Sequence, residues 1–397
     1  MTRPFDGVRV LDFTHVVSGP FGSYQLALQG ADVIKIEQRG GEEMRFGSLT
    51  PDWGKQGYSP GWAALNGNKR SLTLDLKQPR AIEIVKRLAA TADVVMENFR
   101  PGVMDKLGIG HATLSEINPA LIYCAVTGFG QEGPEAQTAS FDGMIQAISG
   151  MMSMTGDPAT GPVRTGFAAA DTITGITAAY AISCALFQRT RTGRGQFVDV
   201  AMLDASMSLM AQQLTECLIG GHIQRQFGNL SVSRKPTANM FPTQDGNMIL
   251  AVINEKQYRR LMTTLRLTDV FDDPRFETWT LRIANGQVLR ERIAQAMRER
   301  STDEWVERFK AADIPCGRVL NVREALDNPQ LKHRAVIQHI DGPLGAMSLI
   351  GPGFKLADGT GAVVRPPPLP GQHVDELLQE MGYTHAQIEQ LRSDDVV

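Results

Sequence analysis

The chain has 397 residues, 42% hydrophobic and 21% charged, and 40 Lys and Arg set against 43 Asp and Glu leave a formal charge of -3. That length exceeds one ordinary core and points to two domains, or to a large α/β domain with a smaller one attached. The near balance of charge excludes a global basic field for nucleic acid or a membrane surface, so a site for an anionic ligand has to be local.

Over the first 130 residues strand and helix patterns alternate. Residues 8–13 (VRVLDF) read as a strand, a helix follows Gly19-Pro20, and residues 31–37 (ADVIKIE) form a second strand. Residues 71–76 alternate like a third, residues 79–90 are amphipathic at helical spacing, and residues 92–96 and 121–127 are further strands. Such alternation predicts a parallel sheet covered by helices. Residues 141–154 and 171–189 read as two helices, 196–200 as a strand and 203–220 as a Met- and Leu-rich helix. The polar stretch 222–235 marks the passage to a second domain, which opens with a hairpin turning at Asp245-Gly246. Helices are expected over 255–266 and 286–300, and Ser301 with Glu304 forms a capping box for another ending near Ala312. A terminal helix begins at His373, after the proline run 366–370.

The N-terminus enters a strand pattern with no apolar signal region, and the longest apolar run, near 176–187, is broken by Thr177, Tyr180 and Ser183. Cys124, Cys184, Cys217 and Cys316 lack C-x-x-C spacing and read as free thiols of a reducing, cytoplasmic compartment. Seven histidines without H-E-x-x-H spacing make a protein-held metal improbable.

Three features carry chemistry. Gly128-Phe129-Gly130-Gln131-Glu132-Gly133 matches the dinucleotide fingerprint, which would make the chain a nicotinamide oxidoreductase. That fingerprint needs a helix to start there, and Pro134 with EAQTAS delays it, so a plain glycine loop is favoured. Lys35, Arg39, Arg45, Lys69, Arg70 and Arg100 cluster at strand ends, either as a solvated face or as a phosphate site. Asp171 stands before an apolar helix, where it reads equally as an N-cap or as a desolvated nucleophile favoured by the helix N-terminus.

These stretches together resemble the class III CoA-transferases, the group that includes formyl-CoA transferase, carnitine CoA-transferase and α-methylacyl-CoA racemase. The matching segments are VLDFTHVVSGP (10–20), GADVIKIE (30–37), NGNKRSLTLDLK (66–77), ADVVMENFRPG (92–102), NPALIY (118–123), TGFGQEGP (127–134), FDGMIQAISG (141–150), ADTITG (170–175) and TGRGQFVDVAMLDA (192–205). Weaker matches follow at 313–319, 366–373 and 377–383. The resemblance implies an α/β fold: a large Rossmann-like domain with a parallel sheet (1–220, completed by 330–397) plus a smaller α+β domain (225–325), in an interlocked homodimer. It implies transfer of CoA from an acyl-CoA to a small carboxylic acid, with coenzyme A as substrate and no permanently bound cofactor. The catalytic aspartate falls on Asp171, and CoA contacts fall on His15, Val16, Arg39, Leu72, Asn98, Phe99 and Arg100. Asp142 falls beside the reacting centre as an acyl-site residue, and Gly128 and Gly130 are candidates for oxyanion donors.

Several positions depart from the group's patterns. Val17 stands where formyl-CoA transferases carry glutamine, Ala139 where a basic residue is frequent, and SVSRKPTANMFPTQDG (231–246) lacks their glycine run, all of which argue against a formyl-CoA:oxalate enzyme. Phe141 stands where the racemase branch has histidine, so the second proton-trading group needed for that isomerase reading is missing. Arg234 and Lys235 are candidate partners for a second carboxylate in a dicarboxylic substrate, or else part of a solvated linker.

Overall fold

The computed structural model describes residues 2–47 and 49–397. The elements in chain order begin with β1 (Arg9–Asp12), α1 (Ser18–Leu28), β2 (Asp32–Glu37), β3 (Arg70–Thr73), α2 (Pro79–Ala89), β4 (Val94–Glu97), α3 (His111–Ile117) and β5 (Ile122–Thr127). They continue with α4 (Asp142–Ile148), α5 (Ala169–Thr192), β6 (Phe197–Ala201), α6 (Met202–Leu209) and α7 (Ala211–Gly220). A second compact unit, Met152–Arg164 with Gln224–Pro329, holds β7 (Met240–Pro242), β8 (Asn247–Leu250), α8 (Glu255–Thr264), α9 (Gly286–Met297), α10 (Thr302–Ala311) and β9 (Cys316–Arg318). The chain then returns to the first unit with β10 (Ile337–Gly342), β11 (Gly345–Ile350), α11 (Val374–Glu380) and α12 (His385–Ser393).

The first unit is built on a six-stranded parallel sheet in the order β3-β2-β1-β4-β5-β6. This is the doubly wound arrangement of the Rossmann type, and its order reverses between β1 and β4. Both faces are covered, which explains why consecutive residues of the central strands, such as Val10-Leu11, Val33-Ile34 and Val94-Val95, are buried and apolar. Leu11, Ile34, Val95 and Tyr123 pack against α2, α3 and the C-terminal α11 and α12. Their neighbours Val10, Val33, Val94 and Ile122 pack on the opposite face against α1 and α5. Helix α5 is long and apolar enough to cross a membrane by composition, but its Ala178, Ile182 and Ala185 stripe belongs to that core.

α1 and α5 approach at two glycines. A Cβ on Gly22 would lie 2.9 Å from the Gly175 carbonyl oxygen, and one on Gly175 would lie 2.6 Å from that of Ser18. Without side chains there, the first turn of α1 comes against the first turns of α5, which brings Ser18 towards Asp171.

Four of the six strand-end cations, Lys35, Arg45, Lys69 and Arg70, are buried among the layers, whereas Arg39 and Arg100 are exposed. Lys69 is fully buried and binds Asp12 (2.9 Å), the Ser23 hydroxyl (2.8 Å) and Asn66 (2.9 Å). Burial opposes the Asp12 anion, yet Lys69 and Lys35 hold its carboxyl well below the usual range. Arg45 pairs with Glu37 (2.6 Å), and Arg70 with Asp32, Glu376 and Glu380. The buried carboxylates of Asp12 and Glu37 claim Lys69 and Arg45, and the part-exposed Asp32, Glu376 and Glu380 claim Arg70.

Some helices also differ from their sequence patterns. The 141–154 stretch breaks at Gly150, whose φ of +88° is left-handed, into α4 and a short turn Met151–Met154. The 203–220 stretch breaks at Met210 into α6 and α7. The β10–β11 hairpin, with its turn at 342–345, was not anticipated. In the second unit the Asp245-Gly246 hairpin and the Ser301–Glu304 capping box form as expected, around a core of Tyr258, Leu261, Phe276, Trp305 and Phe309.

Lys69→Ala leaves the Asp12 carboxylate buried without its nearest cation, which is expected to cost about 3–5 kcal/mol. The check is a thermal melt, in which the midpoint should fall by several degrees while Asp12→Asn added to it recovers part of the loss.

Candidate active site

Ligands of open α/β sheets bind beyond the carboxyl ends of the strands, where the strand order reverses. Here the loops after β1 and β4 meet at that point. The His15 amide donates to Asn98 Oδ1 (2.9 Å), and Asn98 Nδ2 donates back to the His15 carbonyl (2.8 Å). The His15 and Phe99 rings lie against each other, 5.3 Å between centroids.

Two clefts open on either side of this junction and share His15, Val16 and Phe99 as walls. The larger, about 670 Å³, runs over the ends of β2 and β3 past Gln38, Arg39, Leu74 and Lys77. The smaller, about 370 Å³, runs over β4 and β5 past Asn98, Arg100 and Gly128 to Asp142 and Asp171.

Asp171 lies in the first turn of α5, whose N-cap is Ala168 with no side-chain cap bond. It is therefore not the N-cap, and the expected start at 171 is corrected to Ala169. Asp142 does the capping from α4: its Oδ1 accepts the amides of Ala170 (2.9 Å) and Asp171 (3.3 Å), and its Oδ2 accepts from Gln146 Nε2 (2.7 Å). Gln146 is fully buried, and its Oε1 in turn accepts the Thr165 amide (3.0 Å). The Asp171 carboxyl is thus free of backbone duty and half-buried at the cleft. Burial, reinforced by the Asp142 charge and opposed by the Ser18 hydroxyl, pushes its pKa up to about 6. At pH 7 it is mostly ionised and poorly solvated, the state a carboxylate nucleophile needs.

The junction itself is strained. Val16 has φ +68°, a conformation that costs a β-branched residue about 1–3 kcal/mol and persists only where the surroundings over-determine it. Burial lowers the His15 pKa below its ordinary value, so the imidazole is neutral at pH 7.

Most of the expected residues gather here: His15, Val16 and Phe99 between the clefts, Arg39 in the larger, and Asn98, Arg100, Gly128, Asp142 and Asp171 in the smaller. Arg39 is half-exposed and pairs with Asp395 (2.6 Å). Leu72 is fully buried in the sheet core, so its side chain lines neither cleft. Gly130 donates its amide to Thr127 Oγ1 (2.9 Å) and is not a free oxyanion donor. No helix starts after Gly128–Gly133; the next begins at Asp142, which removes the dinucleotide fingerprint. In the second unit, Lys235 donates to the Ile253 carbonyl and lies over Trp279, while the Arg234 guanidinium lies over Phe227.

Sequence reasoning missed Ser18, Glu42, Glu97 and Gln146. Glu97, buried at the end of β4, accepts the Phe99 amide (2.7 Å) and so shapes the 97–100 turn. Its pKa rises to about 7, chiefly through burial and further through Asp105 and Asp199. Gln146 was the most legible of the four, one helical turn after Asp142 on α4.

A model of the family described as CoA-transferase family III matches residues 5–374. Succinyl-CoA:glutarate CoA-transferase of Homo sapiens is 33% identical over 400 residues, covering 100% of this chain and 90% of that protein. Formyl-CoA:oxalate CoA-transferase of Rhodopseudomonas palustris is 34% identical over 414 residues, covering 98% and 96%. Among solved structures, a CAIB/BAIF family protein from Brucella suis superposes with a TM-score of 0.86 at 32% identity, covering 96% of this chain and 100% of that one.

An aspartate whose folded pKa lies near 6, above its ordinary 3.8, favours its neutral form in the fold. Its contribution to stability is present below pH 3.8 and is lost as pH rises through 6. Asp171→Asn is therefore expected to be more stable than the parent by about 1–2 kcal/mol at pH 8, an advantage that shrinks towards zero at pH 4. Thermal midpoints of both proteins at the two pH values check this.

Proposed function

The chain belongs to CoA-transferase family III, and from that premise we propose that it moves coenzyme A from an acyl-CoA thioester to an acceptor carboxylic acid through a covalent intermediate on Asp171. The observation that carries this reading is the Asp171 carboxylate: uncapped, half-buried and facing a cleft that joins a second, larger one at His15, Val16 and Phe99. In this reading the larger cleft takes the nucleotide end of CoA, with Arg39 at its phosphates, and the pantetheine arm passes the junction. The thioester carbon then reaches Asp171 in the smaller cleft, beside Asn98 and Arg100.

The steps balance without a metal, redox partner or net proton. A carboxylate oxygen of Asp171 attacks the thioester carbonyl; the C–S bond breaks, leaving a mixed anhydride and CoA thiolate. The thiolate attacks the aspartyl carbonyl, forming an aspartyl-CoA thioester and releasing the donor acid. The acceptor carboxylate attacks that thioester, whose C–S bond breaks to give a second mixed anhydride and CoA thiolate; the thiolate attacks the acceptor-side carbonyl, forming the new acyl-CoA and releasing the Asp171 carboxylate. Each attack builds an oxyanion that needs amide donors, and the loss of one such donor costs about 3–4 kcal/mol in acyl-transfer enzymes where it has been removed; Gly128, on the smaller cleft, is a candidate donor. Asp142 fixes the first turn of α5, and its charge keeps the nucleophile basic. A dicarboxylic acceptor or donor is supported by the substrates named for the human relative, with Arg100 as the cation for the second carboxylate.

The same proposal includes a cytoplasmic homodimer of interlocked chains, each with a large CoA-binding domain and a small domain. Four free cysteines fit a reducing compartment. Ile176, Tyr180 and Phe187 of α5 and Leu218 and Ile219 of α7 are exposed in one chain, and α7 buries no residue at all. Apolar surface of that extent is usually covered by a partner. Sedimentation should show a dimer, and Leu218→Asp with Ile219→Asp should weaken it.

The test of activity follows CoA transfer from succinyl-CoA to a panel of carboxylates. Transfer is expected in the parent and its loss, by at least about a thousandfold, in Asp171→Ala. Because the nucleophile must be ionised, kcat/KM should rise with pH through about 6 and level off above. Transfer that survives in Asp171→Ala, or a profile flat down to pH 4, contradicts the mechanism.

A further inference from the structure

Glu42 belongs to no motif that the transfer reaction uses, yet it is buried against the strained turn between the two clefts. Its Oε2 accepts the Val16 amide (2.9 Å), and its Oε1 accepts from Trp62 Nε1 (2.7 Å) and pairs with Lys35 Nζ (2.9 Å). Lys35, itself 1% exposed, donates to the Thr14 carbonyl (2.6 Å), while Asp12 Oδ1 accepts the Thr14 amide (3.0 Å). Asn98 holds both backbone groups of His15. The backbone of residues 14–16 is thus gripped from four side chains on four different segments, and the grip ends at the residue with φ +68°. Valine has no intrinsic preference for that conformation, so something must hold it there. The only direct hold on the Val16 amide among the described contacts is Glu42.

We propose that Glu42 is a positioning residue for CoA transfer: it acts through the Val16 amide to hold the left-handed turn that stands His15 and Val16 as the wall shared by the two clefts. This rests on the transferase reading and deepens it. Release of the amide lets Val16 relax to negative φ, which redirects the chain at the point the pantetheine arm has to pass. The thioester is then delivered off line to Asp171, so both binding and chemistry suffer. Trp62 and Lys35 occupy the other oxygen, so the carboxylate cannot turn away without breaking a buried ion pair.

The experiment is a double-substitution cycle read by kcat/KM for the acyl-CoA. Glu42→Gln is expected to lower it by about tenfold or more, since small misplacements near a reacting centre are costly. In a Val16→Gly background the same change should cost less than about threefold, because glycine adopts left-handed φ without a clamp and the two sites are coupled. Glu42→Asp keeps the charge beside Lys35 but shortens the reach to Val16. It should behave like Glu42→Gln, so poor folding of the latter does not blunt the test. Hydrogen exchange of the 13–19 segment, measured without substrate, should quicken in Glu42→Gln and Glu42→Asp. Equal losses in the two backgrounds, unchanged exchange, or faster exchange with unchanged kcat/KM each overturn the proposal. Should the parent transfer no CoA at all, that failure belongs to the activity reading. Calorimetric binding of coenzyme A then replaces kcat/KM, with weaker binding in Glu42→Gln supporting the positioning role and equal binding overturning it.

Discussion

Everything at this site depends on one carboxylate relieving another. A helix N-terminus has backbone amides without intrahelical partners, and the nearest acid ordinarily takes them. In this chain Asp142, on a separate helix, accepts the amides of Ala170 and Asp171. The Asp171 carboxyl is left facing the cleft, in a place where burial and its neighbour's charge raise its proton affinity. The arrangement lowers stability in order to hold a reactive group, and Gln146, tied to Asp142 and to the 165 loop, keeps the two acids in register.

The scaffold makes that geometry reachable. The Gly22–Gly175 contact brings α1 against α5 and sets Ser18 beside the reacting carboxylate. Under the junction of the clefts, Asp12, Lys69, Lys35 and Glu42 form a dry ionic floor. Buried pairs of this kind add little net stability but cost much when broken. That suits a floor whose task is to fix the strained backbone at Val16, and the strain sits where the sheet order reverses and a ligand has to cross.

The layered sheet was legible because parallel strands covered on both faces bury consecutive apolar residues, as Val10-Leu11 and Val33-Ile34 do. Turn chemistry at Asp245-Gly246 and the Ser301–Glu304 box were local signals and formed as read. Local pattern singled out Asp171 and Arg100 only ambiguously, and it was the family resemblance that gathered them with His15 and Asn98 before any cleft was visible. What the sequence withheld was long-range. Nothing within AAD at 169–171 reveals a cap arriving from Asp142, and nothing near Lys69 reveals that Asp12 claims it. Charges at strand ends read as a solvated face or a phosphate site, not as buried pairs, because composition does not say whether a side chain points into the layers or out of the groove. Lys35, Arg45, Lys69 and Arg70 point inward.

The most direct measurement is chemical capture of the intermediate. The protein is incubated with an acyl-CoA donor and no acceptor, quenched with hydroxylamine, digested and examined by mass spectrometry. The account requires a hydroxamate on Asp171, absent without donor. A fully active protein that carries no modification on Asp171, or carries it on another residue, would contradict it.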